Sequence, residues 1–490
     1  MAIKNLNSFD ESKIIDEENV IIGSGAGGST MAFELLKKGK KTIILEEGPD
    51  VRSLENLNIG KNIVNLYKNN GATPIIPSNK GPLIGYGQGS CVGGSTYVNA
   101  GYFSNTPEWI FENWLKEKRT ILSYKDFKKF LNEIKLEMNI NTENLTSRDG
   151  NSKFLLDRSK KINWKVEKCE RFSTGIEGKE KQNMNTTYHK ALLNKDIDII
   201  CNCRVEKINI SNSFAKSILA TNKTNNKKYF FKFKNLFVNC GPINTPFLLL
   251  KNKLIKFEKN QNNFEFHINF KIIVKFKKDT NLNLNRSYDP DHPVSVYFMR
   301  EYEREGALLS SANSELPYML ATASHFNEKI KRDIYQNFNK YCMYIYQIKS
   351  NSFGQVRDFF GNPFVDYKFD QKDTSFIKSA INRVSNFFLE NEAEKIFYPI
   401  EGSTGIRNLK ESNEVSENLN VKKLHLVSVH GMSSLRSGKE ENCHTNYSGK
   451  LKNYENIFIN DASILPGNTG ESPQASIMVM VKNNIKNLKL

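Results

Sequence analysis

Apolar residues along this chain fall into short runs broken by glycine and polar turns. Val20-Ile21-Ile22 form one such run, ending at Gly23. Residues 29–38 then read as a helix stopped at Gly39, and Thr42 to Leu45 as a second buried strand ending at Glu46-Glu47-Gly48. Two continuous apolar runs flanking a helix predict a β-α-β unit. The middle of the chain has a different period. Phe264, Phe266, Ile268, Phe270 and Ile272 alternate with Glu265, His267, Asn269 and Lys271, which predicts a half-buried antiparallel strand. Val294 to Met299 and Tyr341 to Ile348 look similar. Ile197 to Ile210 and Tyr229 to Asn239 are strand-like, and Ile457 to Asn460 is a short strand followed by a loop and a helix from Gln474 to Ile485. Residues 81–101 are glycine-rich and read as irregular. The pattern is weakest from about 280 to 340. This order predicts a nucleotide domain assembled from separated segments, with a largely antiparallel sheet inserted between them.

With 490 residues, about two domains are expected. No run reaches the roughly 20 apolar residues of a membrane helix, and the polar Met1 to Asn7 has no apolar core of a secretory signal. The seven cysteines are odd in number and scattered. Together these features predict a reduced, cytoplasmic protein without structural disulfides or a metal centre. The net charge of +17 invites a nucleic-acid reading. The lysines are spread among asparagines and isoleucines, however, and the block from Lys223 to Lys234 is more simply a hairpin with a solvated face, so no nucleic-acid partner is expected. The charge could still draw in anionic substrates.

Gly23, Gly25 and Gly28 fit Gly-x-Gly-x-x-Gly between a strand and a helix. The first permits a tight turn, the second lets backbone approach a pyrophosphate, and the third allows close helix–strand packing. Glu46 ends the second strand, the expected place for an acid bonded to ribose hydroxyls. The fingerprint alone does not separate NAD from FAD.

Two further segments bear on that choice. Gly89-Ser90-Cys91-Val92-Gly93-Gly94-Ser95-Thr96-Tyr97-Val98-Asn99 and Cys240-Gly241-Pro242-Ile243-Asn244-Thr245-Pro246 resemble the two signatures of the glucose–methanol–choline (GMC) oxidoreductases. The resemblance runs over most of the chain. It implies FAD as cofactor, with Gly93, Gly94, Ser95 and Asn99 along the flavin ring and Gly241 in the second signature. Val205 resembles the family valine that meets the adenine, and fits a core strand position equally well. Asp461 would lie on the pyrophosphate side. No histidine stands between Gly94 and Asn99, so the FAD is expected to be non-covalent. The resemblance also implies an α/β plus α+β architecture. Residues 1–108, 193–258 and 426–490 would form a Rossmann-like FAD-binding domain, and 109–192 and 259–425 a substrate-binding domain.

Oxidising an alcohol requires a base for the hydroxyl proton, and histidine suits this near neutral pH. His189, His267, His292, His325, His425 and His444 stand in contexts that favour surface or packing roles. His430, in His-Gly-Met-Ser-Ser-Leu-Arg-Ser-Gly, resembles the family segment that carries the catalytic histidine, with Ser433 in place of a glycine and Ser437 of a methionine. Where the family has His or Asn before a proline, this chain has Ser472, which also suits the N-cap of the following helix. Glu471 is a further acid–base candidate. The leading expectation is an FAD enzyme that oxidises a CH–OH group of a small hydroxylated substrate, using an unidentified acceptor (oxygen, a quinone or a protein). The alternatives are a non-catalytic flavin- or nucleotide-binding protein and an NAD-dependent dehydrogenase.

Overall fold

The computed structural model describes residues 3–10, 14–54, 59–141, 150–159, 164–174, 180–195, 197–258, 263–279, 294–302, 307–312, 316–438 and 443–488. His292 lies outside them. The first of two large sheets is built on parallel strands. In chain order these are Ile15–Ile22, Thr42–Leu45, Asp198–Cys201, Lys228–Val238 and Ile457–Ile459, and their order in space is 3-2-1-4-5. That is the doubly wound arrangement of a Rossmann-like FAD domain, whose strand order reverses between the first and fourth strands.

The expected β-α-β unit is present, but its helix spans Ala26–Lys37 and so begins before residue 29. Glycines 27 and 28 are themselves helical and hold the first turn against neighbouring backbone. Ile197 to Ile210 is not one strand. Asn202 takes a left-handed φ of 56° and divides it into Asp198–Cys201 and Cys203–Ser211, which join different sides of the sheet. Asparagine tolerates that conformation better than most residues. Residues 81–101 are not wholly irregular either. They contain the strand Ile84–Tyr86 and one helical turn, Ser95–Val98, both too short to show a period.

The second sheet is largely antiparallel. Phe264–Phe276 pairs with Tyr341–Phe359, and Ala307–Ala312, Val294–Tyr302 and Lys165–Lys168 follow in order. On the other side of Tyr341–Phe359, the path runs through Asn362–Lys368, Thr73–Pro77, Ile84–Tyr86 and Leu426–Ser428. It then returns to the first strand where Val427 pairs with Asn269, so the path closes on itself.

Phe264–Phe276 was expected to be half-buried, yet both its faces are covered. Phe266, Ile268, Phe270 and Ile272 share a core with Tyr344, Tyr346, Ile381 and Phe388. Removing a side chain of this size from water contributes about 1.5–3 kcal/mol. His267 and Asn269 are also buried, on the opposite face.

Packing also redraws the expected domain limits. Helices Glu108–Lys116 and Tyr124–Glu137 lie in the segment assigned to substrate binding. Their residues Phe111, Phe127, Leu131 and Ile134 instead share the nucleotide core with Val20, Leu45 and Met478. The buried Lys482 ammonium donates to Glu34 at 2.7 Å and Glu137 at 2.8 Å, fixing the second of these helices beside Gln474–Lys486. Conversely, Thr73–Pro77, Ile84–Tyr86 and Leu426–Ser428 were assigned to the FAD domain and are strands of the second sheet. A 3.6-residue period says that a helix face is buried but not against which sheet.

Candidate active site

A cavity of about 1100 Å³ joins the two sheets. It opens at the carboxyl ends of Ile15–Ile22 and Lys228–Val238, the switch point where doubly wound sheets bind ligands. Gly23, Gly25, Glu46 and Val205 line this end, and Asn269, Lys271 and Ser310 line the other.

The three fingerprint glycines have different surroundings. Gly23 turns with φ 97°, and a Cβ there would stand 2.3 Å from the Asn239 carbonyl oxygen. A Cβ on Gly28 would stand 1.9 Å from the Gly23 carbonyl oxygen, so helix and strand are in close contact. Gly25 is the N-terminal boundary of helix Ala26–Lys37, and a Cβ there would meet nothing within 4 Å. The missing side chain keeps the cavity open where unpaired helix N–H groups and the positive end of the helix dipole can receive an anion. This is the cradle a dinucleotide pyrophosphate requires.

Glu46 stands beside it, braced by the Ser24 N–H at 3.0 Å and the Gly48 N–H at 2.9 Å. A carboxylate offers about four acceptor sites, so capacity for a ribose hydroxyl remains after these bonds and the one from the Ser24 hydroxyl. Sequence reasoning passed over Glu47. Burial opposes its charge, but Lys68, Arg204 and Lys223 outweigh that and hold its pKa at about 2.

The glycine loop lies against this helix start, where a Cβ on Gly94 would come 2.9 Å from the Gly25 Cα. Gly94, Ser95 and Asn99 line the cavity. Gly93 lies behind the wall, its N–H donating to the Ser24 hydroxyl at 3.0 Å. Asn99 donates to the Gln474 side chain at 2.7 Å and accepts from the Gly101 N–H at 3.0 Å, fastening the loop to the C-terminal helix. His189 is structural. It bridges Ser29 and Asn185 at 2.7 and 2.8 Å, and burial lowers its pKa to about 3. Asp461 lines the cavity beside Gly241. It accepts from the Gly241 N–H at 2.7 Å, the Thr245 hydroxyl at 2.5 Å and the Ser463 N–H at 2.8 Å, joining the second signature to the closing segment. Burial raises its pKa against those bonds.

His430 lies on the cavity wall, where burial lowers its pKa to about 4. Its Nδ1 is 3.0 Å from Nδ1 of His267, and His267 Nε2 is 2.6 Å from Asn468 Oδ1. The tautomers follow from Asn468. Its Nδ2 donates to the Phe266 carbonyl at 3.0 Å, and its Oδ1 accepts from the Gly470 N–H at 3.0 Å. His267 Nε2 must therefore carry a proton. Burial first, and then His430, hold the His267 pKa well below its usual range. Neutral His267 presents a lone pair at Nδ1, so His430 Nδ1 donates and its Nε2 is left unprotonated. Among the described residues that Nε2 has no protein hydrogen bond. Glu265 extends the chain, accepting from the Asn468 N–H at 2.7 Å and pairing with Arg436. Sequence reasoning treated His267 as a packing residue and did not single out Asn468. The one available signal was a polar face, Glu265, His267, Asn269 and Lys271, on an otherwise apolar strand.

Ser472 also lines the cavity, but it is not a helix cap. The helix spans Gln474–Lys486 with Pro473 at its boundary and no side-chain cap. Among the described residues the Ser472 hydroxyl has no protein hydrogen bond. Glu471 does not reach this cavity. It is 2 % exposed and paired with Arg300, which also pairs with Glu167, because a buried carboxylate needs a cation. Burial raises its pKa and Arg300 opposes the rise.

Comparison with known proteins agrees with this fold. The GMC oxidoreductase family models match residues 18–268 and 348–480. An uncharacterized GMC-type oxidoreductase of Sinorhizobium fredii is 24% identical, over 96% of this chain and 94% of its own length. A long-chain-alcohol oxidase of Arabidopsis thaliana is 22% identical, over 94% of this chain and 66% of its own. Among solved structures, pyridoxine 4-oxidase from Mesorbium loti aligns with a TM-score of 0.72 at 13% identity, covering 96% of this chain and 99% of that one. Formate oxidase from Aspergillus oryzae RIB40 aligns with 0.76 at 12%, covering 96% and 98%. The chain belongs to the GMC oxidoreductase family.

Proposed function

We propose that this protein oxidises a CH–OH group of a small hydroxylated substrate to a carbonyl, with non-covalent FAD in the cavity. Gly23, Gly25, Gly28, Glu46 and Val205 would hold the adenosine and pyrophosphate. Gly94, Ser95, Asn99 and the start of helix Gln474–Lys486 would border the flavin, with Gly93, Gly241 and Asp461 supporting them from behind or beside. When bound, FAD supplies the acceptor for the hydride leaving the carbinol carbon, at flavin N5. His430 accepts the hydroxyl proton at Nε2, and His267 and Asn468 hold it in the receptive tautomer. Ser472 gives the substrate oxygen a second hydrogen bond. Oxygen, a quinone or a redox protein each meets the electron balance as final acceptor. Seven free cysteines fit a reducing, cytoplasmic compartment, and among the described residues no helix is long and apolar enough to cross a membrane.

The observation that carries this reading is that His430, whose Nε2 has no protein hydrogen bond among the described residues, lines the same cavity as the open helix start at Gly25. The test is an absorption spectrum of the purified protein, followed anaerobically while a panel of alcohols and hydroxylated metabolites is added. The flavin band is expected to bleach. His430→Ala should keep its FAD and bleach roughly 10²–10⁴-fold more slowly. An equal rate in that variant would remove His430 as the base.

A further inference from the structure

The wall of the second sheet identifies the substrate class. Side chains on one face of Phe264–Phe276 follow a period of two, so His267, Asn269 and Lys271 share the face turned to the cavity. Asn269 pairs with Gln347, which pairs in turn with Leu308. Lys271 pairs with Ile345, which pairs with Ser310. Asn269, Lys271, Ser310 and Gln347 all line the cavity. At about 3.3 Å per residue, the Lys271 rung lies ~13 Å along the strand from His267.

These polar groups are unspent. Asn269 is 4 % exposed and Gln347 5 %, yet among the described residues Asn269 Oδ1 and Gln347 Nε2 have no hydrogen-bond partner. The Lys271 ammonium donates to the Tyr318 hydroxyl at 2.8 Å and lies 4.4 Å from that ring's centroid. Among the described residues it has no carboxylate partner. Lys275, four residues further along the same face, is paired with both Asp333 and Glu394. The acids on the cavity wall are Glu46, Glu47, Glu206 and Asp461. Glu46 is bonded to Ser24 and Gly48, Glu47 is paired with Lys68, and Asp461 is bonded to Gly241 and Thr245. The Glu206 carboxylate accepts from the Thr221 hydroxyl at 2.9 Å.

We infer that the substrate is a polyhydroxylated compound with an oxyanion, a carboxylate or a phosphate, at the end remote from the oxidised carbon. This rests on the CH–OH reading above. The base meets the reacting hydroxyl, Asn269 and Gln347 meet hydroxyls along the chain, and Lys271 pairs with the terminal anion. A long apolar alcohol would leave Asn269 and Gln347 unpaired and Lys271 without an anion, at a loss of roughly tenfold in affinity apiece.

The probes are gluconate, gluconate 6-phosphate, sorbitol and 1-dodecanol, added anaerobically to the FAD-loaded protein. Bleaching of the flavin reports oxidation, and a shift of its band reports binding. One of the acids should bleach the flavin at a concentration roughly 10- to 100-fold below that needed for sorbitol. Lys271→Met should remove that preference and Lys271→Arg should retain it, with Lys271→Gln as a second neutral variant if the first fails to fold. Which acid is preferred separates carboxylate from phosphate. Bleaching by 1-dodecanol but not by the acids would overturn the inference and leave the CH–OH reading intact. If nothing bleaches, but the acids shift the flavin band in the native protein and not in Lys271→Met, the anion site stands and the oxidation reading falls. Acids that neither bleach nor shift the band overturn the inference.

Discussion

His267 and His430 meet through their Nδ1 atoms at 3.0 Å, with ring planes at 87°. Only one of the two nitrogens can carry the shared proton while both rings are neutral, and Asn468 settles which. The imidazole that lines the cavity thereby presents a lone pair rather than an N–H at Nε2. His267→Phe removes the acceptor and frees His430 to take the other tautomer. Flavin reduction in that variant should fall by roughly 10²-fold or more, with FAD content unchanged. Stopped-flow reduction under anaerobic conditions measures it, and a native rate would mean that the pairing is only packing.

Gly25 and Gly28 make opposite predictions although they lie in one motif. Valine at 25 projects into open cavity, so Gly25→Val should fold normally and purify without FAD. Alanine at 28 drives a Cβ into the Gly23 carbonyl, so Gly28→Ala should lower stability by about 1–3 kcal/mol. FAD content and urea unfolding of the two variants separate these outcomes. Normal FAD content in Gly25→Val would refute the proposed pyrophosphate site.

Much of this site was legible in the sequence because its parts are local. The strand–glycine–helix unit and the acid at Glu46 stand within one stretch, and His430 is marked by its neighbours. The partners of His430 are not local. His267 is 163 residues away and Asn468 a further step across the fold. Alternation on Phe264–Phe276 identified a polar face but could not tell a cavity wall from a solvated one. The second sheet recruits strands of only three to five residues from 73–77, 84–86 and 426–428, which carry no readable period. Helices Glu108–Lys116 and Tyr124–Glu137 cover the nucleotide core, a placement that only tertiary packing shows.

Ser433 stands where the family pattern has glycine, and its backbone shows why. It holds a left-handed φ of 66°, between the His430 segment and the Ala462 carbonyl that accepts its N–H at 2.9 Å. The side chain is fully buried, and among the described residues its hydroxyl has no partner. The left-handed conformation costs a non-glycine residue about 1–2 kcal/mol, and the unpaired hydroxyl about 1–3. Glycine loses about 0.5–1 kcal/mol through the unfolded chain. Ser433→Gly should therefore raise stability by about 1 kcal/mol or more in urea denaturation. A lower midpoint would show that the serine is supported in a way these contacts do not include.

Stability should fall on mild acidification, and the buried histidines set the window. His430 is lowered from 6.5 to about 4 and His189 to about 3, chiefly by burial, and burial also holds His267 well below its usual range. The unfolded chain takes up their protons first as pH drops below 6.5. The stability they contribute is thus complete above 6.5 and is lost progressively until the native sites also protonate, near 4 and below. Each histidine adds a slope of up to about 1.4 kcal/mol per pH unit. His267 and His430 are coupled and act as a pair rather than as two independent sites. Glu47 acts in a separate window, because its depressed pKa contributes stability that is lost only as pH falls from 4.5 toward about 2. Urea midpoints measured from pH 7.5 to 5 should fall with the slope of one to three protons. His189→Gln, which can keep bonds to Ser29 and Asn185, should make that slope shallower by about one proton. A flat midpoint across this range would mean that the histidines are not held neutral, and the tautomer chain that depends on their neutrality would fail with it.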